Sequence, residues 1–540
     1  MKDISSTGSF INFYLNNYIY VDKTQYIRDL IKLERVFISR PRRFGKSLTL
    51  DTIATLFETG VEPYFKGTWI YDKWTEPTYP VFRLSFLNLD NSSMDLFKKQ
   101  LNSKITEFAN KISVKGYVEK TEPEDSILSL LEKLEEETRQ IVILIDEYDY
   151  QLTSNINNDE LYKQFQQKIK RIYANIKDKF AIKFLGITGV TRLKDVAIFS
   201  VGSDIRDITN SSAYSQMIGF TRDEIKKFYI DYLKLAASYE NNCSVDDVTD
   251  TQIESLLDRL AKNYDGYCFD EDYEKKVFST WSVNTFFQSV VDKKKVQFGE
   301  YWYDNGGLPS ILVNYLKTHE LNIFEYLDKD KFLKVSSDDF KNPTALTTIN
   351  QNVLMCQTGY LTLRSDLNKT STVALGIPNG EIYKALNRLL ANNIFKGNTD
   401  ITDDYGRSLL EVGTVDDIIN LFNSALNSVS YDNYPIVSES SVQNMLKLYL
   451  LGAHQKVLSE LHEAKGRADL VVNTDNRRIV FEFKYAKNET EAKAKLLDAV
   501  EQIKTRDYGN IVPKKTELLR IAAVFNAAPK VRAFTEYQEV

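Results

Sequence analysis

Residues 36–47 read Val-Phe-Ile-Ser-Arg-Pro-Arg-Arg-Phe-Gly-Lys-Ser, and they decide the fold of the first half of the chain. Val36 to Ser39 is a short apolar run, expected as a buried strand. The stretch KSLTLDTIATLFET (46–59) that follows has a helical pattern. A loop carrying Gly-Lys-Ser between a strand and a helix is placed to bind phosphate, because backbone N–H groups there point at an anion. Gly45 permits close backbone approach, Lys46 reaches the β/γ-phosphates and Ser47 ligates Mg2+. The usual pattern is G-x4-G-K-[ST], and here Arg40 replaces the first glycine. Read alone, the segment is also compatible with a basic loop that merely contains Gly-Lys-Ser.

A second motif narrows the choice. Ile141 to Ile145 form an apolar strand that ends in Asp146-Glu147-Tyr148-Asp149. An apolar strand terminating in Asp-Glu is the Walker B arrangement. Asp146 is expected to hold Mg2+ and Glu147 to act as general base on the attacking water. Strands at 81–86 and 183–190, with helices over 92–112 and 124–139, predict a parallel α/β sheet. The last of these strands runs into Gly186-Ile187-Thr188-Gly189-Val190-Thr191-Arg192. Thr188 is the candidate sensor of the γ-phosphate and Arg192 a candidate finger acting in trans; a structural Thr and a surface Arg are the plainer alternatives.

Tyr20-Val21-Asp22-Lys23-Thr24, the loop RPRRFGKS, the strand ILIDEYD and the block GITGVTRLKDVAIFS together resemble the AAA-ATPase-like family. The blocks YSQMIGFTRDEIKKF and YDGYCF are similar to it as well. That family is typically fused to a C-terminal PD-(D/E)XK nuclease-like domain, and its loop characteristically reads Arg-Pro-Arg-Arg-Phe-Gly-Lys. The resemblance implies ATP and Mg2+ as cofactors, phosphate-loop roles for Arg40 and Arg43, and room for self-association through the ATPase domain. Gly306 to Pro309 is similar to a lid motif of related signalling-type ATPases.

The C-terminal stretch carries its own constellation. Asp469 opens an apolar strand and Glu482 lies in another. If Asp475-Asn476 are the central residues of the connecting turn, Asp469 falls directly opposite Glu482. Lys484 then projects from the same face as Glu482, while Ile479, Phe481 and Phe483 take the other. Two opposed carboxylates repel unless a cation lies between them, and a hard divalent ion with oxygen ligands suits that place. Lys484 would position a water or stabilise phosphate charge. The pattern resembles the PD-(D/E)XK superfamily, with Ala468 where the formal motif has Pro. The resemblance implies Asp469 and Glu482 as ligands of Mg2+ or Mn2+, Lys484 as catalytic lysine, and Glu439 on the preceding helix as a further acidic ligand.

Composition bounds the rest. The 540 residues are 43% hydrophobic and 27% charged, which is ordinary for a globular chain and excludes wholesale disorder. Three cysteines and three histidines argue against a disulfide framework and a histidine metal cluster. No run approaches a membrane span and no secretory signal is read, so a cytoplasmic location is expected. The net charge is −6, yet residues 441–540 carry 17 Lys/Arg against 13 Asp/Glu. That basic module fits a polyanion partner; ordinary scatter of surface charge is the alternative.

The expected architecture is therefore α/β. A P-loop ATPase core (a parallel sheet flanked by helices) occupies 1–220, a helical lid 221–345, a mixed connecting region 346–430 and a restriction-endonuclease-like α/β domain 431–540. The expected function is ATP hydrolysis coupled to metal-dependent cleavage of nucleic acid, DNA foremost. Two alternatives stay open: a nucleotide-gated switch whose nuclease-like fold binds nucleic acid or protein without cutting, and an ATPase that remodels a protein partner.

Overall fold

The computed structural model describes residues 1–193, 204–302, 310–316, 319, 323–343, 345–395, 404–453, 455–463, 466–506 and 517–540. The turn at 306–309 lies outside these described residues. Two compact units are present: Met1–His319 with Phe332–Ile382, and Glu320–Lys331 with Tyr383–Val540.

In the first unit, strands β1 (Arg35–Ser39), β2 (Val81–Ser85), β3 (Ile141–Asp146), β4 (Ile182–Gly189) and β5 (Arg206–Asp207) form one sheet in the order β2-β3-β4-β1-β5. Every neighbouring pair is parallel, as the alternation of strands and helices predicts. Ile141 to Ile145 are all buried, which is why β3 reads as a continuous apolar run. The helix Lys46–Thr59 starts where Gly45 turns left-handed (φ +100°) and packs against β2 and β3. β4 lies between β1 and β3, with Thr188 beside Ile38 of β1. The phosphate loop and the acidic strand end are thus bridged by the end of β4. β5 is two residues long and has no legible pattern of its own.

Beyond the sheet, residues 221–240 form two helices, Arg222–Phe228 and Ile230–Asn241, the first opened by a Thr221–Glu224 capping box. They share an apolar core with the helices Asp250–Tyr264 and Thr280–Lys293. A small antiparallel sheet follows: β6 (Leu333–Ser336), β7 (Thr362–Leu363) and β8 (Thr372–Gly376), in the order β6-β8-β7.

The second unit is built on β9 (Lys456–Glu463), β10 (Gly466–Asn473), β11 (Arg477–Ala486), β12 (Glu517–Asn526) and β13 (Ala533–Glu539), in the order β13-β12-β11-β10-β9. Only β11 and β12 pair in parallel, so the sheet is mixed. The helix Glu489–Arg506 packs on β11 and β12, and Glu439–Gly452 on β9 and β11. Phe481 and Phe483 stack with ring centroids 5.4 Å apart on the apolar side of β11. No helix among the described residues is long and apolar enough to cross a membrane.

Candidate active sites

The first site is a cavity of about 510 Å³ against the loop 42–49, with Arg43, Lys46, Ser47, Glu147 and Trp281 in its wall. Ser47 Oγ donates to Asp146 Oδ2 at 2.5 Å, and Thr188 Oγ1 donates to Asp146 Oδ1. The first turn of the helix Lys46–Thr59 and the ends of β3 and β4 therefore meet on one carboxylate. Lys46 is buried, and its ammonium caps the carbonyls of Arg40 and Pro41 at 2.9 Å each. Burial pulls its pKa down, while Asp146 and Glu147 oppose that shift. Glu147 stands just past β3 in a left-handed conformation (φ +52°). Burial, and then the Asp146 charge, raise its carboxyl above the usual range, a shift that suits a general base.

Arg40 and Arg43 part company. Arg40 is 1% exposed, and its guanidinium donates to the carbonyls of Ser39 (2.9 Å) and Thr209 (2.6 Å) while lying 4.2 Å from the Phe269 ring centroid. Burial brings it down to about 9, so it stays charged at neutral pH. It is a strut beneath the loop, with Nη1 and Nη2 on backbone carbonyls and Nε buried without a partner, and it does not line the cavity, which corrects its assignment to cofactor binding. Arg43 remains in the cavity wall. Its guanidinium lies 4.4 Å from the Trp281 ring centroid, and Nη1 is buried with no hydrogen-bond partner. A half-buried guanidinium with one buried, unpartnered nitrogen beside a phosphate loop fits an anionic ligand. Ser47 and Asp146 supply the hydroxyl and carboxylate oxygens a hard divalent ion takes.

Arg192 forms an ion pair of 2.5 Å with Asp207 of its own chain. That engagement matches the plainer alternative, an arginine occupied within its own chain. The sequence also gave no sign of Asp149. Buried beyond β3, it accepts from the backbone N–H groups of Val190 and Thr191 and from the Thr191 hydroxyl. It fastens the end of β3 to the end of β4. Gly189 makes room for this clip, since a Cβ there would lie 2.5 Å from the Tyr148 ring. Thr280 and Trp281 were likewise illegible; their Oγ1 and N–H hold the Arg43 carbonyl at 3.0 and 3.4 Å.

The second site lies on β10 and β11. The ladder pairs Leu470 with Phe481, Val471 with Val480, Val472 with Ile479 and Asn473 with Arg478. One step further along that register sets Asp469 opposite Glu482. The turn centres on Asp475-Asn476, closed by a Thr474 N–H bond to the Arg477 carbonyl. Asp469 Oδ2 accepts from the Phe483 N–H at 2.8 Å. Glu482 is fully buried; Oε1 meets Lys484 Nζ at 2.7 Å and Oε2 has no hydrogen-bond partner. Burial and the Asp469 charge push Glu482 up to about 7, and Lys484 opposes them. Asp469 is also raised, chiefly by burial.

A buried, unpartnered carboxylate oxygen facing a second carboxylate fits a divalent cation. Glu439 is a different matter. Its Oε1 lies 3.6 Å from Lys484 Nζ, and no group of three or more His, Cys, Asp or Glu side chains among the described residues is placed to hold a metal. The lysine ammonium takes the position between Glu439 and Glu482.

The two sites define an ATPase-like domain and a nuclease-superfamily domain on one chain. Residues 5–199 match the family described as "Predicted AAA-ATPase", and residues 437–534 match the PD-(D/E)XK nuclease superfamily. The fusion that the sequence resembles is thus present. An uncharacterized protein in the vnfD 5' region of Azotobacter chroococcum mcd 1 is 26% identical across 94% of this chain and 93% of its own length. Among solved structures, Cdc6p from Pyrobaculum aerophilum is 11% identical over 68% of this chain and 93% of its own, with a TM-score of 0.23. The Aeropyrum pernix Orc1 protein, solved in complex with DNA, is 11% identical over 69% of this chain and 95% of its own, with a TM-score of 0.26. Scores this low carry no argument about this chain's partners.

Proposed function

We propose that the chain hydrolyses ATP at the first site and cleaves phosphodiester bonds of nucleic acid, DNA foremost, at the second, in the cytoplasm and under nucleotide control. The observation that carries this reading is the meeting of Asp469, Glu482 and Lys484 on one face of the β10–β11 hairpin. At the first site Lys46 and Arg43 bind phosphate, Ser47 and Asp146 hold Mg2+, and Glu147 takes the proton of the attacking water. At the second, Asp469 and Glu482 hold Mg2+ or Mn2+, and Lys484 Nζ orients the water or the phosphate oxygen. A divalent ion bound there supplies Lewis-acid polarisation and lowers the pKa of water.

The test is cleavage of single- and double-stranded DNA and RNA by the full chain, with and without ATP and metal. Metal-dependent cutting is expected, lost in Glu482→Ala and altered in Lys46→Ala. Equal cutting by wild type and Glu482→Ala overturns the assignment. A second reading has an observation in its favour: Lys484 already sets a cation against Glu482 and Glu439. On that reading the fold binds nucleic acid without cutting. ATP hydrolysis without cleavage under any metal, with nucleic acid still bound, selects it.

A further inference from the structure

A second large cavity of the first unit, about 550 Å³, lies beside the nucleotide cavity. Phe13, Ile19 and Tyr20 line both, so the two share a wall. Tyr14, Tyr18 and Tyr64 line its far side. Tyr14 is 45% exposed and meets Tyr64 edge-on with ring centroids 5.6 Å apart. Lys2, Lys66 and Lys227 stand on the rim, all exposed, and none of them has a carboxylate partner among the described residues. Three acids are nearby, and Asp3, exposed beside its bridge partner Tyr18, is the first of them. Asp22 is consumed internally, accepting from the Thr24 N–H and hydroxyl and from the Trp69 N–H. Asp231 is the one exposed acid of the lining.

Aromatic rings with ammonium groups around them that no carboxylate neutralises, Lys227 lying 5.0 Å from the Phe228 ring centroid, match a chain that alternates flat bases with phosphates. A duplex hides its base faces, whereas a single strand presents them. We propose that this cleft binds single-stranded nucleic acid, with bases stacked on Tyr14, Tyr18 and Tyr64 and phosphates met by Lys2, Lys66 and Lys227. The proposal deepens the functional reading above and rests on nucleic acid being the substrate class. It assigns strand capture to the ATPase-bearing unit, next to the wall of the nucleotide cavity.

The test is fluorescence anisotropy of the full chain in EDTA, so that nothing is cut, with labelled oligo-dT, oligo-U and a duplex of equal length. Wild type is expected to prefer the single strands. Tyr14→Ala with Tyr64→Ala is expected to weaken single-strand binding about tenfold or more. The Tyr→Phe pair is expected to restore it. Lys2→Gln, Lys66→Gln and Lys227→Gln together are expected to flatten the salt dependence by about 2 in log–log slope. The oligo-dT and oligo-U arms distinguish DNA from RNA as the natural strand. Unchanged single-strand binding in the tyrosine and lysine variants, with their circular dichroism and ATP binding intact, overturns the proposal and leaves cleavage at Glu482 untouched. Binding of a Tyr- and Glu-rich peptide in preference to the oligonucleotides also overturns it. Loss of binding in the variants of a protein that never cuts upholds the cleft while the cleavage reading fails.

Discussion

Arg40 stands where a glycine opens the usual phosphate loop, and its buried guanidinium explains how a side chain is tolerated there: it turns under the loop and ties β1 to the segment after β5. Truncation leaves buried carbonyls without donors, each costing about 1–3 kcal/mol. Arg40→Ala is therefore expected to lower stability by about 2–4 kcal/mol in urea unfolding. Glu147 has the opposite profile, strained and half-buried at the cavity wall with a raised carboxyl. Glu147→Gln is expected to keep ATP binding and to slow hydrolysis by about 10²–10⁴-fold in a phosphate-release assay. Glu482 makes stability depend on pH. Its carboxyl rises from 4.5 to about 7 on folding. A group held protonated by the fold stabilises it below the unfolded value and loses that contribution as pH rises through the folded one. In EDTA, the Tm of the C-terminal unit is expected to fall between pH 5 and 8, and to fall less in Glu482→Gln.

β3 and β4 act as a pair because Asp149 closes over their ends. The clip comprises two backbone N–H groups and one hydroxyl on a single buried carboxylate. It sets Asp146 against Thr188 and Ser47. Asp149→Ala is expected to cost about 2–4 kcal/mol, since hydrogen bonds to charged groups are worth about 1.5–3 each. Hydrolysis is expected to fall as well, read as a lower kcat with a smaller change in KM. In the other unit the β10–β11 hairpin does similar work by register alone. A one-residue slip would send Glu482 to the apolar face and Phe481 or Phe483 to the acidic one. The buried phenyl rings on one side and the buried acid on the other hold the pairing where the chemistry needs it.

The chain joins two units, each with its own five-stranded sheet and its own candidate ligand. A ligand that binds only the folded state stabilises by about 2.7 kcal/mol at a hundredfold excess over Kd. ATP with Mg2+ is expected to raise one melting transition, an effect absent in Lys46→Ala. Mn2+ alone is expected to raise the other, an effect absent in Glu482→Ala; calorimetry reads both. Much of this was legible in the residues themselves. The strand–loop–helix of 36–59, the strand ending in Asp146-Glu147 and the hairpin carrying Asp469 and Glu482 were all read correctly as elements. Phosphate loops and two-residue turns are set by neighbours along the chain, so short windows of sequence carry them. The edge strands β9 and β13, the two-residue β5 and the small sheet of β6 to β8 were not read. Their pairing partners lie far off or their patterns are too short. The partners of individual side chains were decided by tertiary packing alone. Arg40 is spent on Thr209, Arg43 is held by Thr280 and Trp281, Arg192 is paired with Asp207, and Lys484 stands between Glu439 and Glu482. Sequence determined which groups this protein has and on which elements; the fold decided which charges meet, because burial and distance in three dimensions, rather than spacing along the chain, set what a buried charge costs and which partner offsets it.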